Sequence, residues 1–241
     1  MQNRYAGDVG DFGKFGLLRE IQRHSGCASI GINWYLTPDE NGNADGKHVR
    51  YLKRPGFSDC DPQLYRKMAS VVNNQRTVAV LENAELVTNA IYYNNVLEVP
   101  NYDFSRADWH NHALEKLKNA NVVFLDPDNG VQVPDVVVTP ARSIKYVMVE
   151  ELTDYLTRGQ SVIVYNHRAR ENESIYLSRL SWINSNMITA PTMKRIITFH
   201  RGTTRDYIFL IQSNYSKIID DAIQQLLNSS WKRHFSERLA L

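Results

Sequence analysis

Val122-Val123-Phe124-Leu125-Asp126-Pro127-Asp128-Asn129-Gly130 is the stretch that decides how this chain folds. Four apolar residues in a row end on a charged turn. Such a run suits a strand buried on both faces, as in a parallel sheet covered by helices. A second run of the same kind, Ser161 to Asn166, follows a helix that ends at Arg158-Gly159. Working outward, Leu17, Leu18 and Ile21 form the stripe of a first helix that begins near Asp11 and stops at Ser25-Gly26. Ile30 to Leu36 reads as a strand, residues 62–76 as a helix, Thr77 to Leu81 as a short strand, and Ser105 to Asn119 as a helix capped by Ser105. Arg195 to Phe199 and Tyr207 to Ile211 predict two more strands around the loop His200 to Asp206. A last helix is expected over roughly residues 216–236. Strands alternating with helices predict an α/β fold: an open, mostly parallel sheet with helices on both faces, a Rossmann-like three-layer sandwich. With no internal repeat and no linker, residues 1–241 are expected to form one catalytic domain.

Composition agrees with a globular chain: 43% hydrophobic and 22% charged residues, without a low-complexity tract. No apolar run approaches a membrane span, and the N-terminus lacks a signal-peptide layout. Cys27 and Cys60 are too few for a disulfide framework and lack metal-ligand spacing. A cytoplasmic protein without membrane partners is expected. The net charge of +2 is small, but basic residues concentrate at Lys47 to Arg54, Arg168 with Arg170, Lys194 to Arg205, and Lys232 with Arg233.

In open α/β sheets ligands bind beyond the carboxyl ends of the strands. Three predicted strands end in polar clusters: Asp126 to Gly130, Asn166-His167-Arg168, and His200 to Asp206. An amide such as Asn166 can read a base edge, and a carboxylate such as Asp126 can orient water or stabilise a cationic sugar. The bland alternative is ordinary turn chemistry. The segment Tyr5 to Lys14 has three glycines in ten residues, yet it is neither a Walker A pattern nor a dinucleotide fingerprint. Its Asp8, Asp11 and Lys14 either face the substrate mouth or form a capped helix start with an exposed ion pair. The loop Pro38 to His48 alternates Asp39, Asn41, Asn43 and Asp45 like a calcium loop. It has Ala44 where glycine is needed and Arg50 where a bidentate Glu belongs, so a calcium site is rejected. Asp39, Asp45, Lys47 and His48 remain substrate-mouth candidates.

Two families resemble parts of the chain. Ala6-Gly7, Asp11 and Lys14 sit at the spacing of the Ala-Gly-x-x-x-Asp-x-x-Lys start of the bacterial ribosomal RNA adenine-N6 methyltransferases of the large subunit. Asn121 to Gly130 falls where that family has a strand ending in Asp-Pro-Pro-Tyr, and Gly159 to Asn166 is similar to its next strand. That resemblance implies S-adenosylmethionine as cofactor. The chain departs from it at Asn33 to Pro38, where the family has a glycine-rich cofactor turn, and at Asp128-Asn129, where it has the stacking Pro-Tyr.

The strand ends also resemble the uracil-DNA glycosylase superfamily. Leu125 to Gly130 matches a strand ending in Gln-Asp-Pro-Tyr-His-Gly, Val162 to Asn166 one ending in Leu-Leu-Leu-Asn, and Phe199 to Gly202 a loop beginning His-Pro-Ser. The resemblance implies that Asp126 positions water or stabilises the sugar cation, that Asn166 reads the base, and that His200 stabilises charge on the departing base. Asp128 and Asn129 complete the catalytic set. Asp128 replaces the tyrosine that excludes a C5 methyl group, so the pocket is expected to admit a C5 substituent, as in hydroxymethylated or glucosylated cytosines of viral DNA. An antiviral role would follow. Trp34, Tyr35, Tyr165 and His167 flank strand ends as candidates to hold a flipped base. Lys14, Arg168, Arg170, Arg201 and Arg205 are candidates for phosphate contacts.

The leading expectation is a DNA glycosylase that needs no cofactor and no metal. Adenine-N6 methyl transfer to nucleic acid comes second. A metal-dependent nuclease using Asp39, Asp45, Asp126 and Asp128, and a non-catalytic nucleic-acid-binding module, come after.

Overall fold

The structure, a computed structural model, describes residues 1–25, 29–40, 48–99, 105–134, 139–168, 172–187, 193–200 and 204–238. In chain order the elements are α1 (Val9–Ser25), β1 (Ile30–Asn33), α2 (Pro62–Asn73), α3 (Val78–Asn83), β2 (Ile91–Tyr93), α4 (Arg106–Lys116), β3 (Val122–Leu125), β4 (Gly130–Val131), α5 (Pro140–Ser143), β5 (Tyr146–Val147), α6 (Val149–Thr157), β6 (Ser161–His167), α7 (Glu173–Asn186), β7 (Met193–Phe199), β8 (Arg205–Ile211), α8 (Ser213–Asn228) and β9 (Phe235–Arg238).

Seven strands form one open sheet in the order β2-β1-β3-β6-β8-β7-β9, and β4 pairs with β5 beside it. From β2 to β6 every pairing is parallel. Beyond β6 the pairings are antiparallel, so β8 and β9 run against the other five strands. The four residues of β3 are all buried, as expected for a central strand with helices above and below. Alternate residues feed two cores. Val122, Phe124 and Ile163 meet α1, α2 and α8 on one face. Val123, Leu125, Val162 and Val164 meet α4, α6 and α7 on the other. The α/β fold expected from the sequence is therefore the one observed.

Three local expectations are corrected. Thr77 to Leu81 is not a strand: the Thr77 hydroxyl accepts from the Val80 N–H and starts α3, whose Val78 and Leu81 face the core. The strand expected to reach Leu36 stops at Asn33, because Tyr35 adopts a left-handed backbone with φ 43°. The last helix ends at Asn228, and the expected remainder is a 3-10 turn, Ser230–Arg233, followed by strand β9. There the Ser229 hydroxyl accepts from the Trp231 N–H and begins a new turn.

Candidate active site

The carboxyl ends of β3 and β6 and the start of α1 enclose a cleft of about 300 Å³. Asp126, Pro127, Asp128 and Asn129 lie at its base. Asp8, Val9, Gly10 and Lys14 form one wall, and Tyr165, His167 and Arg205 another. Tyr5, Glu40, His48 and Lys145 complete the rim.

Lys14 holds the wall to the base. Its ammonium donates to Asp11 Oδ1 at 3.0 Å and to Asp126 Oδ2 at 2.8 Å, and it lies 4.4 Å from the centre of the Tyr165 ring. All three members of this triad are buried. The ion pair anticipated as exposed is therefore interior. Burial disfavours charge on Lys14, but Asp11 and Asp126 outweigh it and hold the ammonium well above its ordinary range. Asp126 is raised by burial against the opposing pull of Lys14.

Asp8 is the N-cap of α1. Its Oδ1 accepts from the Gly10 N–H at 2.7 Å and the Asp11 N–H at 3.1 Å, while Asp11 Oδ2 reaches back to the Gly7 N–H at 2.9 Å. Helix N-termini ordinarily favour a carboxylate. Here burial first, and the adjacent Asp11 second, push the Asp8 carboxyl up to about 7. Asp128 moves the other way. Burial opposes its charge, but the Met1 amino group at 2.8 Å and the Gln2 amide at 2.9 Å hold it below the usual carboxylate range. One cleft thus holds a carboxyl that exchanges its proton near neutrality and another that stays ionised. Burial and then Arg205 depress His167 to about 4, so its imidazole is neutral at physiological pH. Tyr165, raised to about 12 chiefly by burial, keeps its hydroxyl proton.

Several expected site residues are elsewhere. Asn166 neighbours Tyr165 on β6 and therefore faces the opposite side of the sheet. It accepts from the Val131 N–H at 3.0 Å and donates to the Tyr176 hydroxyl at 3.2 Å. It lines a separate cavity of about 80 Å³. His200 is exposed and bonded to Ser236 on β9 at 2.6 Å, since β8 lies between β6 and β7. Trp34 is core: it stacks on Tyr92 and donates to Glu82 at 2.8 Å. Arg168 pairs with Glu173 at 2.7 Å and lies over Tyr176. Asp39 accepts from the Arg4 N–H at 3.3 Å and does not line the cleft. Arg170, Arg201, Asp45 and Lys47 lie outside the described residues. Among the described residues no group of three or more His, Cys, Asp or Glu side chains could hold a metal ion.

Tyr5, Glu40 and Lys145 were not singled out by sequence reasoning. Lys145 pairs with Glu40, which Arg4 also contacts at 3.1 Å, so the rim is cross-linked over a long sequence separation that no local pattern signals.

Gly130 has φ 112°, and a Cβ placed on it would lie 1.9 Å from Asn166 Oδ1. Gly130→Ala should therefore cost about 2–4 kcal/mol from left-handed strain and overlap together. A urea titration would measure it. Adding Asn166→Ala should recover part of that loss, because the two sites share one contact. A Gly130→Ala protein within about 0.5 kcal/mol of wild type, the range of an innocuous surface change, would refute the packing.

No protein-family model matches the chain, and no curated protein does. Among solved structures it is similar to the crystal structure of protein LPL1258 from Legionella pneumophila str. Philadelphia 1, described as family-model DUF519. The identity is 11%, the match covers 97% of each chain, and the TM-score is 0.47. Among the described residues no helix is long and apolar enough to cross a membrane.

Proposed function

We propose that the protein is a hydrolase that cleaves the N-glycosidic bond of a modified pyrimidine in DNA without a cofactor. The observation that carries this reading is the pair of carboxyls driven apart in one cleft, Asp8 up to about 7 and Asp128 down. Opposite shifts of neighbouring acids are how a site divides acid and base roles. Asp8 gives its proton to the departing base as the bond from C1′ to nitrogen breaks, and the bonding electrons leave with the base. The Asp128 carboxylate stabilises the cationic sugar. Asp126, made more basic by burial, takes the proton of the water that attacks C1′. Arg205, which lines the cleft, offers a cation for the phosphate of an extruded nucleotide. The base reading once given to Asn166 passes to groups that line the cleft, with Asn129 the available amide.

A second reading, adenine-N6 methyl transfer, is favoured by the union of the Ala6-Gly7, Asp11 and Lys14 run with the Asp126 strand end at 2.8 Å. The residues after β1 do not fit its cofactor. Tyr35 is buried with its hydroxyl on Glu151. The Met1 amine and carbonyl occupy the Tyr35 carbonyl and the Thr37 N–H. The backbone that would cradle the cofactor is thus covered by the chain itself, and we derive no step through it.

The deciding experiment incubates the protein, in chelator and without cofactor, with duplexes bearing plain or C5-substituted pyrimidines, then probes for abasic sites. Abasic sites that vanish in Asp126→Ala are expected. No base loss, with transfer of a labelled methyl group from S-adenosylmethionine to adenine, would replace the first reading by the second.

A further inference from the structure

Beyond the cleft, the fold joins two basic clusters that are far apart in sequence. Arg50–Lys53 is a 3-10 turn two residues beyond His48 on the rim of the cleft. It is anchored to the turn that carries Asp8, since the Tyr51 hydroxyl donates to the Gly7 carbonyl at 3.1 Å and Val9 N–H donates to the His48 carbonyl at 3.1 Å. The turn Ser230–Arg233 lies against the segment that follows. Phe57 stacks on His234 with ring centres 4.4 Å apart, Cys60 Sγ is 3.6 Å from the Ser230 carbonyl, and Arg233 pairs with Asp59 at 3.4 Å. These contacts bring the turn that carries Lys232 and Arg233 against the segment that follows Arg50, Lys53 and Arg54, and all five cations are exposed. Arg50, Lys53, Arg54 and Lys232 meet no carboxylate among the described residues.

We infer that this surface is a track for the sugar-phosphate backbone of nucleic acid, leading to the cleft at His48. The inference rests on the reading of the cleft as a nucleic-acid site and adds where the strand lies outside it. Exposed lysines and arginines are ordinarily balanced by neighbouring acids. Four cations without a carboxylate partner, three of them directly after the cleft-rim residue His48, instead supply the charge that binds phosphates by releasing counterions. The track reads no sequence; it sets the register of the duplex and leaves selection to the cleft.

The test measures binding of a fluorescently labelled duplex by anisotropy across a salt series. It compares wild type with Lys53→Glu/Arg54→Glu/Lys232→Glu, whose urea midpoint is measured to verify folding. At low salt the triple variant should bind at least about tenfold more weakly, and the slope of log Kd against log salt should fall by roughly 3, near one for each lost phosphate contact. An unchanged slope overturns the track. So does a wild-type protein that ignores the duplex yet binds vesicles of anionic lipid, which would assign the face to a membrane surface. Chemistry and track fail separately. Charge-sensitive binding without base release leaves the track and removes the hydrolase, whereas base release indifferent to charge reversal does the opposite.

Discussion

Asp8→Asn should abolish base release by about 10²–10⁴-fold while leaving the protein more stable at pH 8. The first half follows from loss of the cleft carboxyl raised to about 7; a general acid contributes about that factor. The wild-type rate should fall as pH rises through about 7, where Asp8 loses its proton. The residual rate of the variant should lack that limb. The second half follows from linkage. The folded-state pKa of about 7 lies above the ordinary 3.8, so the folded form binds more protons than the unfolded form between those values. Asp8 is therefore neutral to stability below about pH 4. It becomes costly as pH rises and reaches its full cost above about 7, on the order of 2–4 kcal/mol for a carboxyl partly open to the cleft. Asparagine caps a helix as well as aspartate does, so the bonds from the Gly10 and Asp11 N–H groups persist. Urea titrations at pH 5 and pH 8 would read a gain that is larger at pH 8. A destabilised variant with full activity would remove Asp8 from both roles.

Lys14→Met is expected to cost about 3–5 kcal/mol at neutral pH, the price of leaving a buried charge without its partner. Asp11 and Asp126 would then face each other without the ammonium that now lies 3.0 and 2.8 Å from them. Without Lys14 the burial that raises Asp126 goes unopposed by the ammonium, so that carboxyl holds its proton to higher pH and the deficit should shrink toward pH 4 and widen as pH rises. Lys14→Met/Asp126→Asn should be more stable than Lys14→Met alone, because one of the two stranded charges is gone. A double variant as unstable as the single would place the cost in lost packing against Tyr165 instead. Denaturant titrations of the three proteins over pH 4 to 8 separate these outcomes.

The central strands were legible because burial on both faces leaves an unbroken apolar run, and both Val122–Leu125 and Ser161–His167 carry one. Elsewhere local signals competed. Trp231 and Phe235, four apart, imitate a helical stripe, yet they belong to a turn and a strand. The three-residue strand Ile91–Tyr93 is too short to show a period. For the site, the residue types at the end of β3 and along the start of α1 were visible. Their meeting was not, since Lys14 and Asp126 are 112 residues apart. The error over Asn166 had a readable cause. Adjacent residues of a strand point to opposite faces, so Tyr165 and Asn166 could never both face one cleft. His200 was misplaced by topology: a strand inserted between β6 and β7 is invisible in linear order.

The contact between α1 and the turn after α8 bears on how the chain is made in the cell. Gly16 lies so close to Trp231 that an added Cβ would stand 2.3 Å from its ring. The helix that carries Asp8, Asp11 and Lys14 thus lacks its covering until Trp231 has left the ribosome. At about 5–20 residues per second, that is a wait of roughly 10–40 s. Throughout it Phe12, Phe15, Leu17 and Leu18, all buried in the finished protein, have only part of their shelter. The helix that forms one wall of the cleft is therefore covered only once a residue far downstream of it has emerged.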